Sequence, residues 1–140
     1  MLLGEFTHTL DAKGRVFLPA KWREELAGEV VVTAGQERCL FVMTKEAFSR
    51  RAAQLEELSS DHKANRDYKR MFFSSASEEA VDRTGRMSIP AGLRRFAGLE
   101  GKEVILIGVS DRAEIWDRES WSSYKEGVEE GYAQVAEELS

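Results

Sequence analysis

The 140-residue sequence predicts an α+β fold built from two similar β-rich halves with flanking helices. Three observations carry that reading. A long internal repeat divides the chain, each copy alternates apolar and polar residues around a tight turn, and three further stretches place apolar residues at helical spacing.

The repeat is most specific around two turns. Asp11, Gly14, Arg15, Pro19 and Ala20 recur as Asp82, Gly85, Arg86, Pro90 and Ala91 at one constant offset. After a slip of two positions, Gly28 to Gly35 matches Gly101 to Gly108, and Phe48 falls opposite Trp121. A match of this length makes chance a poor explanation.

Each copy reads as strand, turn, strand, short helix, strand, turn, strand, longer helix. Phe6, His8 and Leu10 alternate with Thr7 and Thr9, and the turn from Asp11 to Gly14 leads to Val16 and Leu18 on one strand face. Pro19 pre-sets the backbone for a short helix anchored by Trp22 and Leu26 and ended by Gly28. Val30 to Ala34 and Cys39 to Met43 form the next strand pair. The second copy repeats this with Met87 and Ile89, then Pro90, Leu93 and Phe96, then Val104 to Ile107 and Ala113 to Trp116.

Thr44 suits the N-cap of a helix carrying Phe48, Ala52, Leu55 and Leu58, and Asp117 that of one carrying Trp121, Tyr124, Val128, Tyr132, Val135 and Leu139. Those stripes fit a core or a subunit interface. Gly127 and Gly131 weaken the last helix by about 1 kcal/mol each relative to Ala, so its end frays without a partner. A third helical stretch, from Asp61 to Phe73, joins the halves through Tyr68, Met71 and Phe72. The expected organisation is a first unit over 5–48, a connecting helical segment over 49–75, a second unit over 76–121 and a C-terminal helix over 122–140.

Composition narrows the function. A hydrophobic fraction of 42% and a charged fraction of 32% with both signs interleaved describe a globular chain. The N-terminus lacks the charged and apolar regions of a secretory signal, and no apolar run reaches membrane-spanning length, so the expected location is the cytoplasm, with no membrane partner. Cys39 is the only cysteine, which excludes an internal disulfide or a cysteine metal cluster. His8 and His62 are the only histidines, in no metal-ligand or nucleophile spacing, while Glu56, Glu57, Glu129 and Glu130 fall on solvated helix faces. The expectation is a protein that is not an enzyme and carries no metal or cofactor.

The net charge of -5 runs against a nucleic-acid partner until its distribution is read. Asp11 stands against Lys13, Arg15, Lys21 and Arg23, and Asp82 against Arg83, Arg86, Arg94 and Arg95. Acidic residues concentrate from Asp111 onward, so a basic region and an acidic one are segregated.

The motif Asp-x-x-Gly-Arg has a direct physical reading. Asp11 and Asp82 accept hydrogen bonds from N–H groups further round the turn, and Gly14 and Gly85 supply positive φ. Arg15 and Arg86 open the returning strand, able to pair with the aspartate and still point outward. An ordinary hairpin with a surface Asp–Arg pair needs no more than this. Lys13 in one copy, with Arg83 and Thr84 in the other, adds phosphate-competent donors that the turn itself does not require, and two such basic hairpins suit double-stranded DNA. An arginine there can face a guanine edge or a phosphate equally well.

Asp82-Arg83-Thr84-Gly85-Arg86-Met87-Ser88-Ile89-Pro90-Ala91-Gly92-Leu93-Arg94-Arg95-Phe96 resembles the swapped-hairpin DNA-binding motif of the AbrB and SpoVT type. Two such motifs, with Glu114-Ile115-Trp116-Asp117 and Trp121 in the second half, resemble the MraZ family across essentially the whole chain. The resemblance implies a double swapped-hairpin, AbrB-like β-barrel with interlocked halves and a ring-shaped homo-oligomer. It also implies a nucleoid-associated repressor that binds promoter direct repeats upstream of its own division and cell-wall operon. On that reading Lys13, Arg15, Arg83, Thr84, Arg86 and Arg94 touch DNA, and Asp11, Gly14, Asp82 and Gly85 shape the turns. The copies differ where Arg94-Arg95 aligns with Arg23-Glu24, so the two halves need not contribute equally. The alternative is an antitoxin-like or scaffold module using the same fold, although antitoxins of that type carry one motif and a wrapping tail.

Overall fold

The computed structural model describes residues 1–101 and 103–140; Lys102, which the repeat aligns with Glu29, lies outside them. In chain order the elements are β1 (Glu5–Thr9), β2 (Arg15–Phe17), a 3-10 turn (Ala20–Trp22), β3 (Gly28–Ala34), β4 (Leu40–Met43), α1 (Lys45–Glu56) and α2 (Lys63–Ser74). The second half follows with β5 (Ser77–Val81), β6 (Arg86–Ser88), α3 (Ala91–Phe96), β7 (Glu103–Val109), β8 (Arg112–Asp117) and α4 (Arg118–Glu138).

Six strands form one antiparallel sheet in the order β1-β7-β8-β4-β3-β5, and β2 pairs with β6 in a separate two-stranded ribbon. Exchanging each strand for its repeat counterpart turns this order into its own reverse. The first strand of each half lies on the third strand of the other, with Thr7 opposite Ile105 and Glu79 opposite Val30. The two strands on either side of each turn are therefore not ladder partners, in contrast to the simple hairpins read from the sequence. Val16 meets its counterpart Met87 across the ribbon.

Alternation along the central strands feeds two cores. Val30, Val32, Leu40, Val42, Val104, Leu106 and Ile115 face one side, where Val16, Leu18, Met87 and Ile89 of the ribbon, Trp22 and Leu93 close over them. Phe41, Met43, Ile105 and Trp116 face the other, under Ala47, Leu55 and Phe72 of α1 and α2. The molecule is three layers, and strands covered on both faces read as continuous apolar runs. Among the described residues the sheet does not close into the expected barrel; β1 and β5 are its edges, and the ribbon lies across one face.

Both expected N-caps form. Thr44 Oγ1 accepts from Ala47 N at 3.1 Å and Asp117 Oδ2 from Ser120 N at 3.0 Å. After Pro19, only a 3-10 turn forms where a short helix was expected. The α4 stripe is not core, since no residue of that helix is buried.

Candidate nucleic-acid interface

The turns are built by their aspartates. Asp11 Oδ1 accepts the backbone N–H groups of Lys13 and Arg15, both at 2.9 Å, and Oδ2 accepts Arg15 Nε at 2.9 Å. In the second turn Asp82 Oδ1 accepts Thr84 N at 2.9 Å, Thr84 Oγ1 at 2.7 Å and Arg86 N at 2.9 Å, while Oδ2 accepts Arg86 Nε at 3.1 Å. Gly14 and Gly85 take φ of +78° and +88°.

These donors favour the charged carboxylate. The backbone N–H of Arg15, more than any other group, holds Asp11 below its ordinary value, and the Thr84 hydroxyl and then the Arg86 N–H hold Asp82 well below the carboxylate range. Each arginine gives only Nε to its aspartate, leaving the Nη donors for an outside acceptor. Both arginines are about one-third exposed. Arg86 also lies over the Phe17 ring, 5.7 Å from its centroid, whereas Arg15 stands opposite Ser88. The tips are similar without being equal.

The turns are cross-braced between the halves. Leu18 N donates to Gly85 O at 2.8 Å, and Ile89 N donates to Gly14 O at 2.9 Å. Arg23 gives Nε to Leu18 O at 3.1 Å and lies against Gly85, where an added Cβ would stand 2.3 Å from that nitrogen. Arg94 gives Nη1 to Ile89 O and lies against Gly14 in the same way. Each turn glycine thus has a second reason to lack a side chain: an arginine from the other half occupies the space.

The structure places the sequence-predicted residues together as two tips. Lys13 and Arg83 are exposed at the turns, and Arg94 is half-buried against the opposite tip. Thr84 commits its hydroxyl proton to Asp82 and is a turn-forming group. Sequence reasoning passed over Arg23, although the repeat aligns it with Arg94 and that alignment was the signal for it. His8, half-buried on β1, is pushed below its ordinary value by burial first and by Arg23 second, which favours the neutral ring. Cys39 is buried, and burial above all raises its thiol. Among the described residues no cluster of His, Cys, Asp and Glu is placed to hold a metal, and no helix is long and apolar enough to cross a membrane.

A family model described as "MraZ protein, putative antitoxin-like" matches the chain twice, over residues 1–71 and 72–140. The chain belongs to the MraZ family. It is 50% identical over 139 residues to a protein of Thermobifida fusca named "Transcriptional regulator MraZ", covering 99% of this chain and 96% of that protein. Proteins of the same name from Frankia alni and Salinispora arenicola are 48% identical over 139 residues and 49% identical over 137, each covering at least 98% of this chain and 96% of the relative. The double match of the MraZ model meets the chain near Phe72, within the helix that joins the two repeats.

Proposed function

We propose that the chain is a sequence-specific, DNA-binding transcriptional repressor whose two turns enter or flank the groove of double-stranded DNA. The observation that carries this reading is the pair of aspartate-braced arginine tips, each completed by an arginine of the opposite half and joined through the β2–β6 ribbon. Preorganised guanidinium groups lose little freedom on meeting a phosphate or a base edge. Around Asp11 stand Lys13, Arg15 and Arg94, and around Asp82 stand Arg83, Arg86 and Arg23, so each tip is cationic despite the acidic chain.

The relatives' name supports regulation of transcription as the role. The exchange of first strands between halves supports an intramolecular swapped-hairpin arrangement as the scaffold. One chain presents two small tips, so binding gains from a ring-shaped homo-oligomer that engages successive promoter direct repeats, which raises avidity by about 10² to 10⁴. Repeats upstream of the chain's own division and cell-wall operon are the target in this reading, and the nucleoid is its site of action.

A mobility-shift titration on that upstream region tests it, with Arg15→Ala and Arg86→Ala beside the wild type. Each variant is expected to remain folded and to bind at least about tenfold more weakly, as the loss of a charged hydrogen bond entails. Normal affinity in both folded variants contradicts the reading and leaves the antitoxin-like alternative.

A further inference from the structure

The β2–β6 ribbon turns four side chains away from the core. Val16 and Met87 point inward and are buried, so alternation puts Arg15 and Phe17 of β2 and Arg86 and Ser88 of β6 on the outer face. The register sets Arg15 opposite Ser88 and Phe17 opposite Arg86, about a pseudo-twofold axis at Val16 and Met87. That axis exchanges the two arginines. It also exchanges Phe17 with Ser88, and there the symmetry fails.

On this face the two ends of the ribbon differ by that one side chain. The Asp11 turn leads into Arg15 beside Ser88, and the Asp82 turn leads into Arg86 beside Phe17. Phe17 is 42% exposed and is the one large apolar side chain that the ribbon leaves in solvent. It packs in neither core. Its contact with Arg86, whose guanidinium lies 5.7 Å from the ring centroid, is of the cation–π kind that contributes little at an exposed site. Arg15 on its own strand and Arg86 across from it flank the ring, and Arg23 lies over the adjoining Gly85. Cations on both sides of an exposed phenyl ring suit a polyanion with apolar spots and oppose an apolar protein partner.

We propose that Phe17 packs on the C5-methyl group of a thymine in the major groove, beside the position that Arg86 contacts, and so gives the DNA site a direction. A two-stranded ribbon fits the major groove, where the thymine methyl is the apolar group displayed on a base edge. The arginines take guanine edges or phosphates, and the ring between them takes the methyl. Ser88, at the symmetry-related place, offers a hydroxyl that suits any base edge and selects none. A ribbon with equal ends would read a site and its inverted copy alike. With Phe17 at one end, only one orientation of the duplex brings the thymine under the ring. This rests on the DNA-binding reading above and names one group that it recognises.

Fluorescence anisotropy with the full-length chain tests the proposal on a duplex from its own upstream region in which each thymine in turn is replaced by deoxyuridine. The replacement removes the methyl and leaves base pairing unchanged. The wild type is expected to lose at least about fourfold in affinity at one thymine of the repeat, as the burial of one methyl-sized group implies. Phe17→Ser places at this end the residue that the other end already carries, so the fold is expected to hold, with thermal unfolding as the check. This variant is expected to bind the native duplex more weakly by a similar factor and to ignore deoxyuridine at that thymine, while Phe17→Leu keeps the discrimination. Wild-type indifference to deoxyuridine at every thymine overturns the proposal and leaves the arginine tips standing as the DNA contact. A Phe17→Ser variant that keeps the wild-type response to deoxyuridine also overturns it, because the ring then serves only to hold Arg86. A wild-type chain that does not bind the duplex removes the DNA-binding reading itself.

Discussion

Arg94 lies across Gly14 so closely that a methyl group there would stand 2.0 Å from the guanidinium Nη1. The two residues come from different halves, and Arg23 repeats the relationship over Gly85. Neither glycine is explained by its positive φ alone.

Gly14→Ala is therefore expected to cost about 1 to 3 kcal/mol from backbone strain, with a further loss from displacing Arg94. Thermal unfolding of Gly14→Ala, Arg94→Ala and the double variant checks this. The double variant should be less destabilised than the sum of the singles by about 0.5 to 3 kcal/mol. Additive losses would show that the arginine and the glycine do not meet.

Acid should reach the turns through Asp82. Its folded value lies below the ordinary 3.8, so its contribution to stability is fully present above about pH 3.8 and is lost as pH falls through that value toward the folded one. Unfolding midpoints measured from pH 5 down to pH 2 should drop more steeply below pH 3.8 for the wild type than for Asp82→Asn. Equal slopes would mean that the carboxylate is not held by Thr84 and Arg86.

The interleaved sheet predicts that neither half folds alone. A fragment of residues 1–71 has β1 without β7 and β3 without β5, and it exposes the apolar faces that the second half covers. Far-UV circular dichroism should show little sheet in either fragment and a gain on mixing 1–71 with 72–140. A cooperative unfolding transition in an isolated fragment would contradict the interleaving.

The turns and helix caps were legible in the sequence because their contacts are local. Asp11 reaches Arg15 within one turn, and Thr44 reaches Ala47. Strand partners were not, for a physical reason: the halves are alike, so β1 finds a similar neighbour in β3 or β7, and alternation alone does not choose between them. The barrel expected from resemblance and the open three-layer sheet differ in closure, since β1 and β5 remain as edges. Arg23 was passed over although its repeat counterpart Arg94 makes the same contact with the turn of the other half, and the apolar stripe of α4 did not reveal that it faces outward.

The central claim is that the arginine tips bind DNA. Fluorescence anisotropy on a duplex from the chain's own upstream region, comparing wild type with the Arg15→Ala/Arg86→Ala double variant, tests it most directly. The account predicts a folded double variant that binds about a hundredfold or more weakly, each lost charged hydrogen bond contributing at least about tenfold. A folded double variant with wild-type affinity would contradict it.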